Sequence, residues 1–102
     1  MSNSTSPISE EISHNVYFDG KVQSLALETD QGKATLGVMK KGSYEFSAST
    51  AERMVVISGV MNVKLQDASW MKYLEHEEFN VKANATFDII CDTDVAYICY
   101  YG

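Results

Sequence analysis

LGVMKKGSYEFSASTAERMVVISGVMNV, residues 36–63, reads as strand, glycine turn, strand, loop, strand, glycine turn, strand. The runs are rich in Val, Ile, Tyr, Phe and Thr, which suit a pleated and half-buried surface. They are broken at Lys41-Gly42 and Ser58-Gly59, where glycine permits the positive φ that a tight turn needs. Within the stretch Glu52 stands seven positions before Gly59. Side chains alternate along a strand, so Glu52, Met54, Val56 and Ser58 share one face and Arg53 falls on the other.

Outward from this stretch the same pattern continues. Turn signals recur at Asp19-Gly20, Asp30-Gln31-Gly32, around Asn84 and at Asp92-Thr93-Asp94. Val95, Tyr97, Cys99 and Tyr101 fall on one strand face, with Ala96, Ile98 and Tyr100 on the other. Met61, Val63 and Leu65 oppose Val60, Asn62 and Lys64 in the same way. No segment sustains helical apolar spacing; Ala68–Glu78 reads as strand and loop with one helical turn at most. Short strands at this spacing predict an all-β barrel or sandwich. Residues 1–13, rich in Ser, Thr and Glu, are expected to form a flexible tail, and 14–102 a single domain.

The 102 residues carry a formal net charge of −6, which repels a phosphate backbone and argues against nucleic-acid binding. No apolar run reaches the roughly 20 residues of a membrane helix, and no secretory signal opens the chain. A cytoplasmic location is therefore expected. In that reducing compartment Cys91 and Cys99 are expected to be two buried thiols rather than a disulfide.

Glu52 is the leading chemical residue, a carboxylate beside apolar walls where partial desolvation raises its pKa and a hydrogen-bond donor would reward its ionised form. Its bland alternative is a solvated glutamate paired with Arg53 or Lys41. Tyr44 and Phe46 share a face that Phe87 and Tyr97 can join. Aromatic faces stack on bases, though small β-barrels also fill themselves with such residues. Arg53, the one arginine, should point away from Glu52. Other candidate donors to an anion are Lys40, Lys41, Ser47, Ser49, Thr50 and the backbone amides of the 47–51 loop. Two histidines, His14 and His76, stand apart from Glu52, so no metal and no other cofactor is expected. No Gly-x-Ser-x-Gly elbow or cysteine–histidine pair offers a protein nucleophile.

The Glu52-to-Gly59 spacing resembles the close of the first motif of cupin barrels, without the histidines that metal-binding cupins place before the glutamate. More narrowly, NVYFDGKVQS at 15–24, ATLGVMKKGSYEFS at 34–47, MVVISGVMNVKL at 54–65, Phe79-Asn80-Val81, Phe87 and the closing YICYY resemble the pyrimidine/purine nucleoside phosphorylases, a family of small single-domain cupins. The chain departs from that pattern at His76, Lys82, Ala83 and Asn84, in place of Gly, Pro, Gly and His, and at Tyr100, in place of an arginine. The resemblance implies an antiparallel jelly-roll barrel and a cytosolic homodimer. It further implies phosphorolysis of purine and pyrimidine nucleosides to free base and ribose 1-phosphate. In that setting Glu52 is expected to be catalytic, and Tyr44, Phe46, Ser47, Ser49, Thr50 and Tyr97 to bind nucleoside and inorganic phosphate. A non-catalytic cupin that binds a small metabolite is the alternative. A structural dimerisation module, its mouth filled by its own side chains, is a third reading.

Overall fold

A computed structural model of the chain describes residues 11–102. Ten strands follow one another: β1 (His14–Tyr17), β2 (Val22–Thr29), β3 (Gly32–Met39), β4 (Gly42–Ala48), β5 (Glu52–Ser58), β6 (Met61–Leu65), β7 (Trp70–Tyr73), β8 (Glu78–Val81), β9 (Ala85–Cys91) and β10 (Val95–Tyr101). The one helical element among the described residues is a single 3-10 turn at Phe18–Gly20. The tail expected over residues 1–13 lies outside the described residues up to residue 10. Beyond it the chain already joins the sheet, where the Ser13 carbonyl accepts the Ala26 N–H at 2.9 Å.

All the ladders are antiparallel and assemble two sheets. One has six strands in the order β1-β2-β3-β10-β5-β8, the other four in the order β4-β9-β6-β7. The expected jelly-roll barrel takes the form of two sheets with their apolar faces together, and among the described residues no ladder closes one onto the other. Hydrophobic alternation specifies which face of each strand turns inward, but not whether the last edges meet; a sandwich and a barrel bury the same side chains.

The core is what alternation demands. Met54 and Val56 of β5, Met61 and Val63 of β6, Phe87, Ile89 and Cys91 of β9, and Val95, Tyr97 and Cys99 of β10 are all buried. Gly59 ends β5 with φ of 92°. A Cβ there would lie 2.8 Å from the Asp94 carbonyl oxygen, so both backbone conformation and space require glycine at this turn.

Phe18 and Asp19 are less expected, with φ of 51° and 56°. A bulky side chain in this left-handed region costs about 1–2 kcal/mol. The Phe18 ring offsets it by edge contacts with Tyr44 and Phe46, at centroid separations of 5.0 and 5.4 Å. Such a pair contributes about 0.5–1.5 kcal/mol beyond its area. The turn thereby ties the β1–β2 corner of the large sheet to edge strand β4 of the small one.

Candidate active site

Between the sheets lies a cavity of about 150 Å³. The large sheet lines it with Tyr17, Ser24, Met39, Glu52, Met54, Tyr97, Cys99 and Tyr101, and the small sheet with Phe46, Ser47 and Phe87. Glu52 opens β5 and pairs with Tyr101 on β10 and Val81 on β8, which sets its carboxylate at the end of the sheet where the cavity opens. Burial pushes the Glu52 carboxyl above the ordinary range, and a hydrogen bond from the Cys99 thiol to Oε1, at 3.5 Å, opposes part of that rise. Farther along the wall the Tyr101 hydroxyl meets Thr35 Oγ1 at 2.9 Å. Burial likewise raises the phenols of Tyr97 and Tyr101 and holds the Cys99 thiol up at about 12. Near neutral pH these groups are therefore neutral hydrogen-bonding groups, not nucleophiles.

Gly37 shapes the wall behind Tyr97. The two are ladder partners, and a Cβ on Gly37 would stand 2.3 Å from Cζ of the Tyr97 ring and 2.4 Å from its hydroxyl. The ring thus lies flat across β3 where a side chain would otherwise sit. That posture leaves the space between the sheets open.

Of the residues singled out in the sequence, Phe46, Ser47, Glu52, Phe87 and Tyr97 come together around this cavity. Ser49 and Thr50 are exposed in the loop joining β4 to β5, between Ser47 and Glu52 in the chain. Tyr44 does not line the cavity; its hydroxyl donates to the Lys40 carbonyl at 2.7 Å and its ring packs under Phe18. Arg53 is on the outer face. It reaches Glu78 at 3.1 Å, bonds Gln31, and lies 4.2 Å from the centroid of the Tyr100 ring. Tyr100 faces outward with Arg53, its direct ladder partner, so neither lines the cavity. The exposed Lys82 follows Val81, the ladder partner of Glu52, at the same end of the sheet.

Sequence reasoning missed Tyr17, Ser24 and Tyr101 as lining residues. The alternation of β10 carried the signal for Tyr101, on the same face as Tyr97. Nothing local marked Tyr17, which is brought in by the left-handed turn that follows it. Among the described residues no group of three or more His, Cys, Asp or Glu side chains stands close enough to hold a metal ion. His14 is spent on Gln23, at 2.9 Å, on the outer side of the β1–β2 edge. Both cysteines are free and buried. Among the described residues no helix is long and apolar enough to cross a membrane.

Comparison with known proteins gives the arrangement a context. A family model described as pyrimidine/purine nucleoside phosphorylase matches residues 12–101. A protein of that name from Hahella chejuensis is 46% identical over 89 residues, covering 86% of this chain and 96% of its own. Another from Vibrio cholerae is 40% identical, covering 88% and 96%. Among solved structures, a Vibrio parahaemolyticus protein described as of unknown function superposes with a TM-score of 0.83 at 35% identity, covering 88% of this chain and 97% of that one. An RmlC-like cupin from Shewanella frigidimarina superposes with a TM-score of 0.68 at 18% identity, covering 87% and 79%. At that identity it shows the cupin-like fold alone.

Proposed function

The chain belongs to the pyrimidine/purine nucleoside phosphorylase family, and from that premise we propose that it cleaves purine and pyrimidine nucleosides with inorganic phosphate. A phosphate oxygen forms a bond to the anomeric carbon as the carbon–nitrogen bond breaks. The bonding pair leaves with the base, which takes up a proton, and ribose 1-phosphate remains. No electron carrier or metal enters this balance.

The observation that carries the reading is the half-buried Glu52 carboxylate at the opening of a polar-and-aromatic cavity. As positive charge builds on the sugar, a fixed carboxylate in a partly water-excluded site offsets it without reorganisation. Holding sugar and phosphate together contributes further, up to about 7–11 kcal/mol in well-oriented cases. Ser47, Ser49, Thr50 and the amides of their loop are the phosphate donors in this reading, because they lead directly into Glu52. Phe46 and Tyr97 form walls against the nucleoside. Tyr44 supports the site from behind Phe18, its phenol already occupied.

A homodimer fits the outer face of the large sheet. Leu25 and Leu36 are ladder partners there, and they and Val38 stay about half exposed, at 46%, 45% and 53%. An apolar patch on a sheet face is best covered by a second copy across a twofold axis. The activity is tested by incubating purified protein with uridine and with guanosine, with and without phosphate. Free base that appears only with phosphate, matched by ribose 1-phosphate, is the expected result. No base from either nucleoside, or base formed equally without phosphate, sinks the proposal.

A further inference from the structure

The cavity has room for one ring, and we propose that the ring it takes is the pentose of the nucleoside, the base being left in the mouth against Tyr17 and Tyr101. This rests on the phosphorolytic reading for its substrate; cavity size and hydrogen bonding select the ring. A space of about 150 Å³ matches the volume, about 150 Å³, of an engineered apolar cavity that accepts a single benzene. A nucleoside has two or three rings, so the remainder must stay outside.

The lining selects the sugar. A pentose carries hydroxyls around its rim, and the walls offer Glu52 as acceptor with Ser24 and Tyr97 as hydroxyl partners. Ser24 is buried, and Asn15 Nδ2 donates to its Oγ at 3.3 Å, which leaves the serine proton free to be given away. The Tyr97 phenol is 6% exposed and makes no hydrogen bond among the described residues. It lies over Gly37, on the wall of the cavity. A buried phenol without a protein partner is uncommon, and on this wall its hydroxyl is available to a sugar hydroxyl.

The same lining turns a base away. The two phenylalanines of the lining already contact one another, Phe46 with Phe87 at 5.6 Å. That is the range of direct ring–ring contact, so no slot for a flat base opens between them. Tyr17 and Tyr101 line the cavity yet remain 49% and 40% exposed, and so present ring surface at the opening. A base resting there is stacked upon rather than read by buried polar groups. Strong discrimination comes from buried hydrogen-bonding groups left unpaired by the wrong ligand. A base held outside escapes it, which explains how one site can serve purines and pyrimidines.

The test sets bulk on the sugar against bulk on the base. Adenosine, 3′-O-methyladenosine and the three-ring base analogue 1,N6-ethenoadenosine are compared by phosphate-dependent turnover and by calorimetric binding without phosphate. Expected is ethenoadenosine within about threefold of adenosine in both readouts, and the O-methyl sugar weaker by about tenfold to 200-fold, the usual effect of one extra carbon in a filled site. The reverse ranking, with the enlarged base rejected and the methylated sugar accepted, overturns the inference. Binding in the expected order without turnover of any nucleoside refutes the enzymatic reading and upholds this one. If none of the three is bound or turned over, both are overturned.

Discussion

Replacing Gly37 with alanine tests the geometry of the cavity wall most sharply. The new Cβ would stand 2.3, 2.4 and 2.6 Å from Cζ, the hydroxyl and Cε1 of Tyr97. Ordinary contact begins near 3.4 Å, so the ring must move by about 1 Å away from β3, and the cavity it lines lies open to it. Overpacking of this kind costs about 1–3 kcal/mol. Two effects pull the value down: the cavity gives the ring somewhere to go, and alanine is favoured over glycine in a strand by about 0.5–1 kcal/mol. A net loss of about 1 kcal/mol follows, lowering Tm by about 4–8 °C in a domain of this size. Function should suffer more than stability, since the displaced ring occupies the space proposed for the sugar. Thermal unfolding of Gly37→Ala, Tyr97→Leu and the double variant gives the coupling directly. Leucine lacks the three clashing atoms, so on that background the alanine should cost nothing or stabilise by up to about 1 kcal/mol. Equal cost on both backgrounds would refute the assignment of Gly37 as the residue that makes room for Tyr97.

Glu52→Gln keeps the shape but removes the charge, and turnover should drop at least about tenfold with the fold intact, as circular dichroism will report; near-normal turnover moves the chemistry elsewhere. The same variant reports on pH. Burial raises the native Glu52 carboxyl above its ordinary 4.5, so the native state holds the proton more tightly than the unfolded chain. The stability of the wild type relative to Glu52→Gln is therefore highest below that value and falls as pH rises through the raised native one. Urea midpoints of the two proteins should diverge in that direction as pH is raised from below 4.5, and parallel curves would contradict it. Arg53→Ala should leave turnover within about twofold, because the guanidinium sits on the outer face with Glu78 and Tyr100; a large loss would place phosphate near it. Burial holds the Cys91 and Cys99 thiols at about 11 and about 12, so a thiol reagent at neutral pH should label neither in the folded chain and both in denaturant.

Much of this was legible in the sequence because it depends on period and turn chemistry alone. The inward face of β5 and β10, the turn at Gly59 and the outward Arg53 all follow from alternation and from a position only glycine can hold. Sheet partition was not legible: β5 pairs with β8 and β10, and β4 with β9, across separations that no local pattern encodes. Tyr44 was ambiguous for a related reason. Its partner is the Lys40 carbonyl across the Gly42 turn, and a backbone acceptor leaves no trace in side-chain sequence. Tyr17 reached the cavity through a left-handed Phe18 that propensity disfavours and aromatic contact restores. Nothing in the sequence around Gly37 marks it as the seat of the Tyr97 ring, because the two meet only across the β3–β10 ladder.

The most direct measurement is a crystal structure of the protein with a nucleoside analogue that resists cleavage and inorganic phosphate. Pentose density is expected between Glu52, Ser24 and Tyr97, with a tetrahedral anion beside the 47–51 loop and a base ordered only where it meets Tyr17 and Tyr101. A base enclosed between the sheets, or a nucleoside bound on the outer face near Arg53, would contradict it.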